Sequence, residues 1–233
     1  MNLYTKDGEL RLWIDDAEIE RICDATLRKA DMMPTMTSPV TDLEAFIESH
    51  LGADLDQFAD LEDGILGASS FYPDGNVQIQ ISQTVTNAAD EKAHSTGSLG
   101  RFRATLAHEA AHVVLHKRLF TDDMVTGILN HTSNSPTIPC LHRDITPDPG
   151  GAPTSPTGHW REVQANKGMA ALLMPRVLFK RAARKFLEEQ MKPSSQLSRM
   201  MQPTIVEHLA THFQVSKQAA TIRLATLGID RLV

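Results

Sequence analysis

The run from Ser98 to Phe120 constrains this chain more than any other segment. It carries Phe102, Leu106, Val113, Val114 and Leu115 at helical intervals, so it predicts one long, half-apolar helix that must pack among other elements. In its middle stands His108-Glu109-Ala110-Ala111-His112. Side chains four residues apart share a helix face at about 6 Å of rise, so two imidazoles can reach one ion. Glu109, beside the first histidine, can lean toward a water on that ion and take its proton. Zinc suits such a set because it accepts nitrogen and carboxylate oxygen in a tetrahedral shell and leaves one position open. It would lower the water's pKa from about 15.7 to about 7 and polarise a scissile carbonyl, with Glu109 passing the proton to the leaving amine. Short strings of this kind recur by chance. The helical, half-apolar setting is what gives this one weight.

A third protein ligand has to come from elsewhere. Leu115 and Arg118 stand where glycine and histidine would mark the metzincin arrangement. His116 shares the helix but lies about 12 Å of rise from His108, and it reads as a solvent or core histidine. Glu162 is the better candidate, because it begins an ExxA step in a helix whose Ala165, Gly168 and Ala171 permit tight packing on the His108 helix. The rivals His131, Cys140, His142 and His159 lie in or beside the Pro- and Gly-rich stretch from Thr121 to Gly158. Holding a ligand there costs conformational entropy with little packing to offset it. Cys140 reads as an ordinary loop thiol, with a loop thiolate in the open zinc position as the alternative. Tyr72, His159, Arg101 and Arg103 are candidate oxyanion stabilisers, although salt bridging on a helix surface is the commoner role for the two arginines.

Around this centre the pattern alternates between helix and strand. Asp15 to about Ala30 predicts a core-facing helix through Ile19, Ile22, Cys23 and Leu27. A second helix is capped by Thr41 or Asp42, carries Leu43, Phe46, Ile47 and Leu51, and ends at Gly52. The acidic cluster from Asp54 to Asp63 lacks calcium-loop spacing and reads as a solvated loop or helix face. Ile65–Phe71 and Val77–Ile81 predict a hairpin around Pro73-Asp74-Gly75-Asn76, and the alternation of Val77, Ile79 and Ile81 with Gln78 and Gln80 suits a sheet edge. Further helices are expected from His159 to Pro175, from Val177 to Gln190 and, as a pair around a tight turn, from Ile205 to Leu227. Pro193 to Ser198 reads as a linker.

The formal net charge of -6 argues against a general electrostatic grip on nucleic acid. The two cysteines, Cys23 and Cys140, are far apart, as expected in a reducing compartment. The first ten residues have no apolar core of a signal peptide, and no apolar run approaches the roughly 18–20 residues that span a bilayer. A soluble cytoplasmic protein without a membrane partner is the expectation.

Two blocks then acquire a more specific meaning. HEAAHVVLH at His108–His116, with Arg101-Phe102-Arg103 upstream, is followed by Trp160-Arg161-Glu162-Val163-Gln164-Ala165-Asn166 and Ala170-Ala171-Leu172-Leu173-Met174-Pro175. Together they resemble the ImmA/IrrE family of metallopeptidases, and the tail with Phe213, Val215-Ser216, Arg223-Leu224 and Leu227-Gly228 is similar to a segment that often follows in that family. The resemblance covers about Asn76 to Gly228. It implies a gluzincin-like zinc site with Glu162 as third ligand, and endopeptidase activity on a helix-turn-helix transcriptional repressor in stress, mobile-element or phage control. The stretch from Thr121 to Gly158 is longer than that pattern leads one to expect, which bears on substrate access.

The sequence therefore predicts an α+β, mainly helical, zincin-like domain with a small sheet and a C-terminal helical tail. Residues 1–60 form an N-terminal helical region, 61–190 the catalytic domain with insert 121–158, and 191–233 a helix-turn-helix-like tail. The metal ligands are His108, His112 and Glu162, the base is Glu109, and the cofactor is zinc. The rival readings are a DNA-binding regulator or a toxin-antitoxin component acting by binding. The near balance of Lys217, Arg223 and Arg231 with Glu207 and Asp230 makes direct nucleic-acid binding the weaker one.

Overall fold

The structure is a computed structural model that describes residues 2–6, 9–72, 74–91, 96–121, 137–141, 159–190 and 204–229. It is α+β. Helix α1 (Asp16–Lys29) buries Ile19, Cys23 and Leu27 at four-residue intervals and begins at Asp15, whose carboxylate accepts from the Glu18 amide at 2.8 Å. The next helix, α2 (Leu43–Ala45), is capped by Asp42 and widens into a π-turned segment, Phe46–Leu51. It stops at Gly52, whose φ of 63° lies in the left-handed region that glycine enters at no steric cost.

Strands β1 (Asn2–Lys6) and β2 (Glu9–Trp13) make an antiparallel hairpin. The main sheet contains β3 (Asp54–Ala59), β4 (Ile65–Phe71), β5 (Val77–Ser82) and β6 (Thr137–Leu141) in the order β3-β5-β4-β6. It is parallel between β3 and β5 and antiparallel elsewhere. The expected hairpin is β4–β5, closed by the Tyr72 amide on the Asn76 carbonyl at 3.0 Å.

Several expectations are corrected. Strand β5 is not at the edge but between β3 and β4. Alternating polarity reports one wet face and carries no information about which edges are paired. The acidic stretch begins as strand β3, and its charges fit an edge strand, which has to discourage further pairing. The first 60 residues are mixed rather than helical, since β1, β2 and β3 lie among them. Strand β6 falls inside the segment read as irregular, and helix α3 (Gln83–Glu91) follows β5 without having been expected.

The long helix, α4 (Thr96–His116), stops earlier than predicted, and Lys117 separates it from the short α5 (Arg118–Thr121). Helix α6 (His159–Leu173) packs along α4, and α7 (Arg176–Gln190) follows. Gly168 of α6 lies so near Ala111 of α4 that a Cβ there would come within 2.8 Å of the Ala111 methyl, which is the close approach expected of the small residues. The tail is α8 (Ile205–Phe213), opened by a Thr204–Glu207 capping box, and α9 (Lys217–Thr226), capped by Ser216. One buried apolar cluster includes residues from Leu12 to Ile229. Among the described residues no helix is long and apolar enough to cross a membrane. The linker read at Pro193–Ser198 lies outside the described residues.

Candidate metal centre

Helix α4 carries apolar residues on several faces because it runs between the sheet and α6, and most of its polar side chains from Arg103 onward are buried with it. His108, Glu109, His112 and His116 are each 0% exposed. Groups of this kind persist in a core only when hydrogen-bonded or when they serve a ligand.

The two expected histidines and the expected glutamate meet at the α4–α6 contact. His108 Nε2 lies 3.0 Å from Glu162 Oε2 and 3.1 Å from His112 Nε2, and the third side of the triangle, His112 Nε2 to Glu162 Oε2, is 3.5 Å. Tetrahedral zinc with ligands at about 2.0–2.1 Å separates them by roughly 3.3–3.4 Å, so the triangle has the size of one face of such a shell. Among the described residues this is the only group of three or more His, Cys, Asp or Glu whose ligand atoms gather in this way.

The outer partners decide where the imidazole protons sit. Asn166 Oδ1 stands 3.2 Å from His108 Nδ1, and a neutral His108 that donates to it from Nδ1 has a lone pair on Nε2. Gln164 donates its amide to the Leu12 carbonyl at 2.8 Å and turns Oε1 to His116 Nε2 at 3.0 Å. His116 Nδ1 is 3.1 Å from His112 Nδ1. With the proton of His116 on Nε2, its Nδ1 accepts from His112, whose Nε2 is then also bare. In these tautomers two imidazole lone pairs and a carboxylate oxygen converge. Such a cluster repels itself unless a cation enters, and nitrogen, nitrogen and oxygen are the donors that zinc takes.

Burial favours the neutral forms of His112 and His116. Burial pushes His112 below the ordinary histidine range against the pull of Glu162, and pushes His116 well below it. Burial opposes ionisation of Glu162, and its carboxyl falls below the usual range through charge on His112 and hydrogen bonds donated by His108 and His112, a protonation that differs from the one the outer partners favour. A carboxylate between neutral imidazoles is the ligand state that zinc requires.

Glu109 faces the sheet. The Ser69 hydroxyl on β4 donates to Glu109 Oε2 at 2.5 Å. Two residues earlier on the same strand, a Cβ on Gly67 would lie 3.0 Å from Glu109 Oε1 and 2.9 Å from the Thr105 methyl, so only glycine leaves the carboxylate room. Ser69 and Gly67 were not legible in advance, because Ile65–Phe71 reads as a buried strand and nothing local couples it to α4.

The remaining candidates are not brought here. Tyr72 is exposed, bonds Gln78 and lines a shallow hollow with Gly52 and Asp54. Arg103 is buried and donates to the Thr41 carbonyl at 3.2 Å instead of bridging on the surface. Arg101 lines an apolar cleft of about 480 Å³ formed by α1, α4, α6 and α9, which includes Asn166 but none of the three donors. His131 and His142 lie outside the described residues, as do the side chains of Cys140 and His159. His116, read as a solvent or core histidine, is in the core, and there it touches His112. Comparison with family models and with curated proteins returns no match for this chain.

Proposed function

We propose that this chain is a zinc-dependent endopeptidase with a zincin-like centre of gluzincin type, in which His108, His112 and Glu162 hold the ion and Glu109 is the catalytic base. The observation that carries the reading is the convergence of His108 Nε2, His112 Nε2 and Glu162 Oε2 at 3.0–3.5 Å from one another. When bound, the ion supplies Lewis-acid polarisation of a carbonyl and acidifies a water. Glu109 takes the water's proton and returns it to the leaving amine, while Ser69 fixes one carboxylate oxygen and so limits the rotamers of the base. His108 and His112 are oriented by their outer partners, Asn166 for His108 and the buried His116 for His112. Strand β6, beside β4 and at the sheet edge, takes over the role expected of β5 in pairing with an extended peptide.

The substrate class, a helix-turn-helix repressor, rests on the resemblance of the two motif blocks to the ImmA/IrrE family. The regulator alternative loses ground in the tail. Arg223 is 2% exposed and bound to Glu20, so it is not available to a phosphate, and the exposed Lys217 has Glu207 beside it at 2.7 Å, whose charge offsets its own. Metal analysis of purified protein is expected to find about one zinc per chain, retained in Glu109→Gln. Co-expression with the regulators encoded beside its gene is expected to give a cleaved product that Glu109→Gln lowers by about 10²–10⁴-fold. Protein without zinc, or a Glu109→Gln enzyme of full activity, overturns the proposal. Zinc binding and regulator capture without cleavage would favour a binding adaptor.

A further inference from the structure

The polar chain that starts at His112 does not end at the next residue. It runs from His112 Nδ1 to His116 Nδ1 at 3.1 Å, from His116 Nε2 to Gln164 Oε1 at 3.0 Å, and from Gln164 Nε2 to the carbonyl of Leu12 at 2.8 Å. The residues along it are all enclosed, with His112 and His116 at 0%, Leu12 at 5% and Gln164 at 7% exposure. Water therefore has little access with which to reorder the protons. The Trp160 ring meets His116 edge to face with centroids 5.5 Å apart and closes the remaining side of that imidazole.

Only one end of the chain has a fixed polarity. A backbone carbonyl cannot donate, so Gln164 has to present its amide nitrogen to Leu12 and its oxygen to His116. That oxygen cannot donate either, so His116 carries its proton on Nε2. A neutral His116 is then an acceptor at Nδ1, and His112 has to supply the hydrogen between the two rings. Each assignment forces the next, and the last leaves His112 Nε2 bare on the side of Glu162.

We propose that His116 and Gln164 are positioning residues that, anchored on the Leu12 carbonyl, order the protons along α4 so that His112 presents a lone pair to the metal. Strand β2 of the N-terminal hairpin thereby sets the tautomer of a residue a hundred positions further along the chain. The inference rests on the metal-site reading above and adds residues outside its ligand set. Without the chain, an isolated imidazole distributes its proton over both nitrogens, and the fraction carrying it on Nε2 cannot bind until it rearranges. Loss of outer-shell partners of this kind weakens metal affinity by about 10–100-fold.

The test uses the full chain in wild-type, His116→Leu, His116→Asn and Gln164→Leu forms, with zinc affinity read by chelator competition and histidine tautomers by ¹⁵N NMR of the metal-free protein. Wild type is expected to hold the proton of His112 on Nδ1 and that of His116 on Nε2. His116→Leu and Gln164→Leu are expected to mix the His112 tautomers and weaken zinc binding by about 10–100-fold. His116→Asn, whose Oδ1 supplies an acceptor near the position of the lost Nδ1, is expected to recover most of the affinity. Recovery by asparagine distinguishes proton ordering from simple filling of space. A wild-type His112 protonated on Nε2 overturns the proposal without any variant having to fold. Unchanged zinc affinity in folded His116→Leu overturns it while leaving the metal site intact. A wild type that takes up no zinc overturns the metal-site reading beneath it.

Discussion

Two buried polar clusters lie along α6, and they differ in whether their hydrogen bonds close. At its C-terminal end Arg223 of α9 donates from Nε and Nη2 to the Met174 carbonyl at 3.0 and 2.7 Å, and from Nη1 and Nη2 to the Glu20 carboxylate of α1. Every guanidinium nitrogen has an acceptor, and the charge is neutralised inside the protein. At the N-terminal end Glu162 meets the Nε2 atoms of two imidazoles, His108 and His112. The first cluster is complete without help and ties three elements together. The second is fixed from outside the triangle, at Asn166 and Gln164, and brings together within it three atoms that can each accept. Burial alone does not distinguish a structural polar cluster from a functional one, but closure does.

The largest effect is expected at the closed cluster. Arg223→Met leaves Glu20 and the Met174 carbonyl without their donor, and breaking one side of a buried pair costs about 3–5 kcal/mol. Replacing both partners with apolar residues is expected to recover most of that loss, as read by urea unfolding, with zinc bound per folded chain unchanged. A double variant as unstable as the single one would mean that the pair contributes more than charge compensation.

Glu162→Gln makes the opposite prediction. The neutral amide removes a buried charge and offers a hydrogen to an imidazole lone pair, so the metal-free protein is expected to melt at the same temperature or higher. Zinc affinity is expected to fall by about a hundredfold or more, the upper end of what loss of an outer-shell partner costs. Substitutions that separate stability from ligand binding in this direction mark a site held in an unfavourable state for function. A metal-free variant clearly less stable than wild type would place Glu162 with Arg223, as a structural residue.

The same distinction explains what the sequence revealed. The meeting of His108 and His112 was legible because a four-residue spacing is local and fixes a shared face, and the approach of Glu162 was legible because small residues at Ala165 and Gly168 predicted a close helix contact. Partners that depend on topology were not. Ser69 and Gly67 act across the β4–α4 contact, and Leu12 acts through a hairpin whose pairing no local pattern announced. His116 was set aside on its distance from His108, which bears on sharing an ion with it but not on contact with His112, since a residue four further along a helix meets its neighbour's outer side. Strand β3 was missed because edge strands carry the charge that also marks solvated loops.

The smallest effect tests closure where burial is absent. Glu207 opens α8, accepts from the Thr204 amide at 3.0 Å and pairs with Lys217 at 2.7 Å, so its hydrogen bonds are satisfied as those of Arg223 are, but in solvent. The hydrogen bond from Lys217, followed by that from the Thr204 amide, lowers its pKa from the ordinary 4.5 to about 2. A carboxyl with a lowered folded pKa contributes stability that is fully present above its unfolded value and is lost as pH falls through the folded one. The window therefore runs from about 4.5 down to about 2. Wild type and Glu207→Gln are expected to differ slightly in melting temperature above this window, and the gap is expected to close as pH falls through it. Added salt should narrow the gap at neutral pH, because exposed charges are screened within a Debye length of about 10 Å at 0.1 M. A gap that survives high salt and low pH would assign the effect to the capping geometry, which glutamine retains in part, and not to the charge.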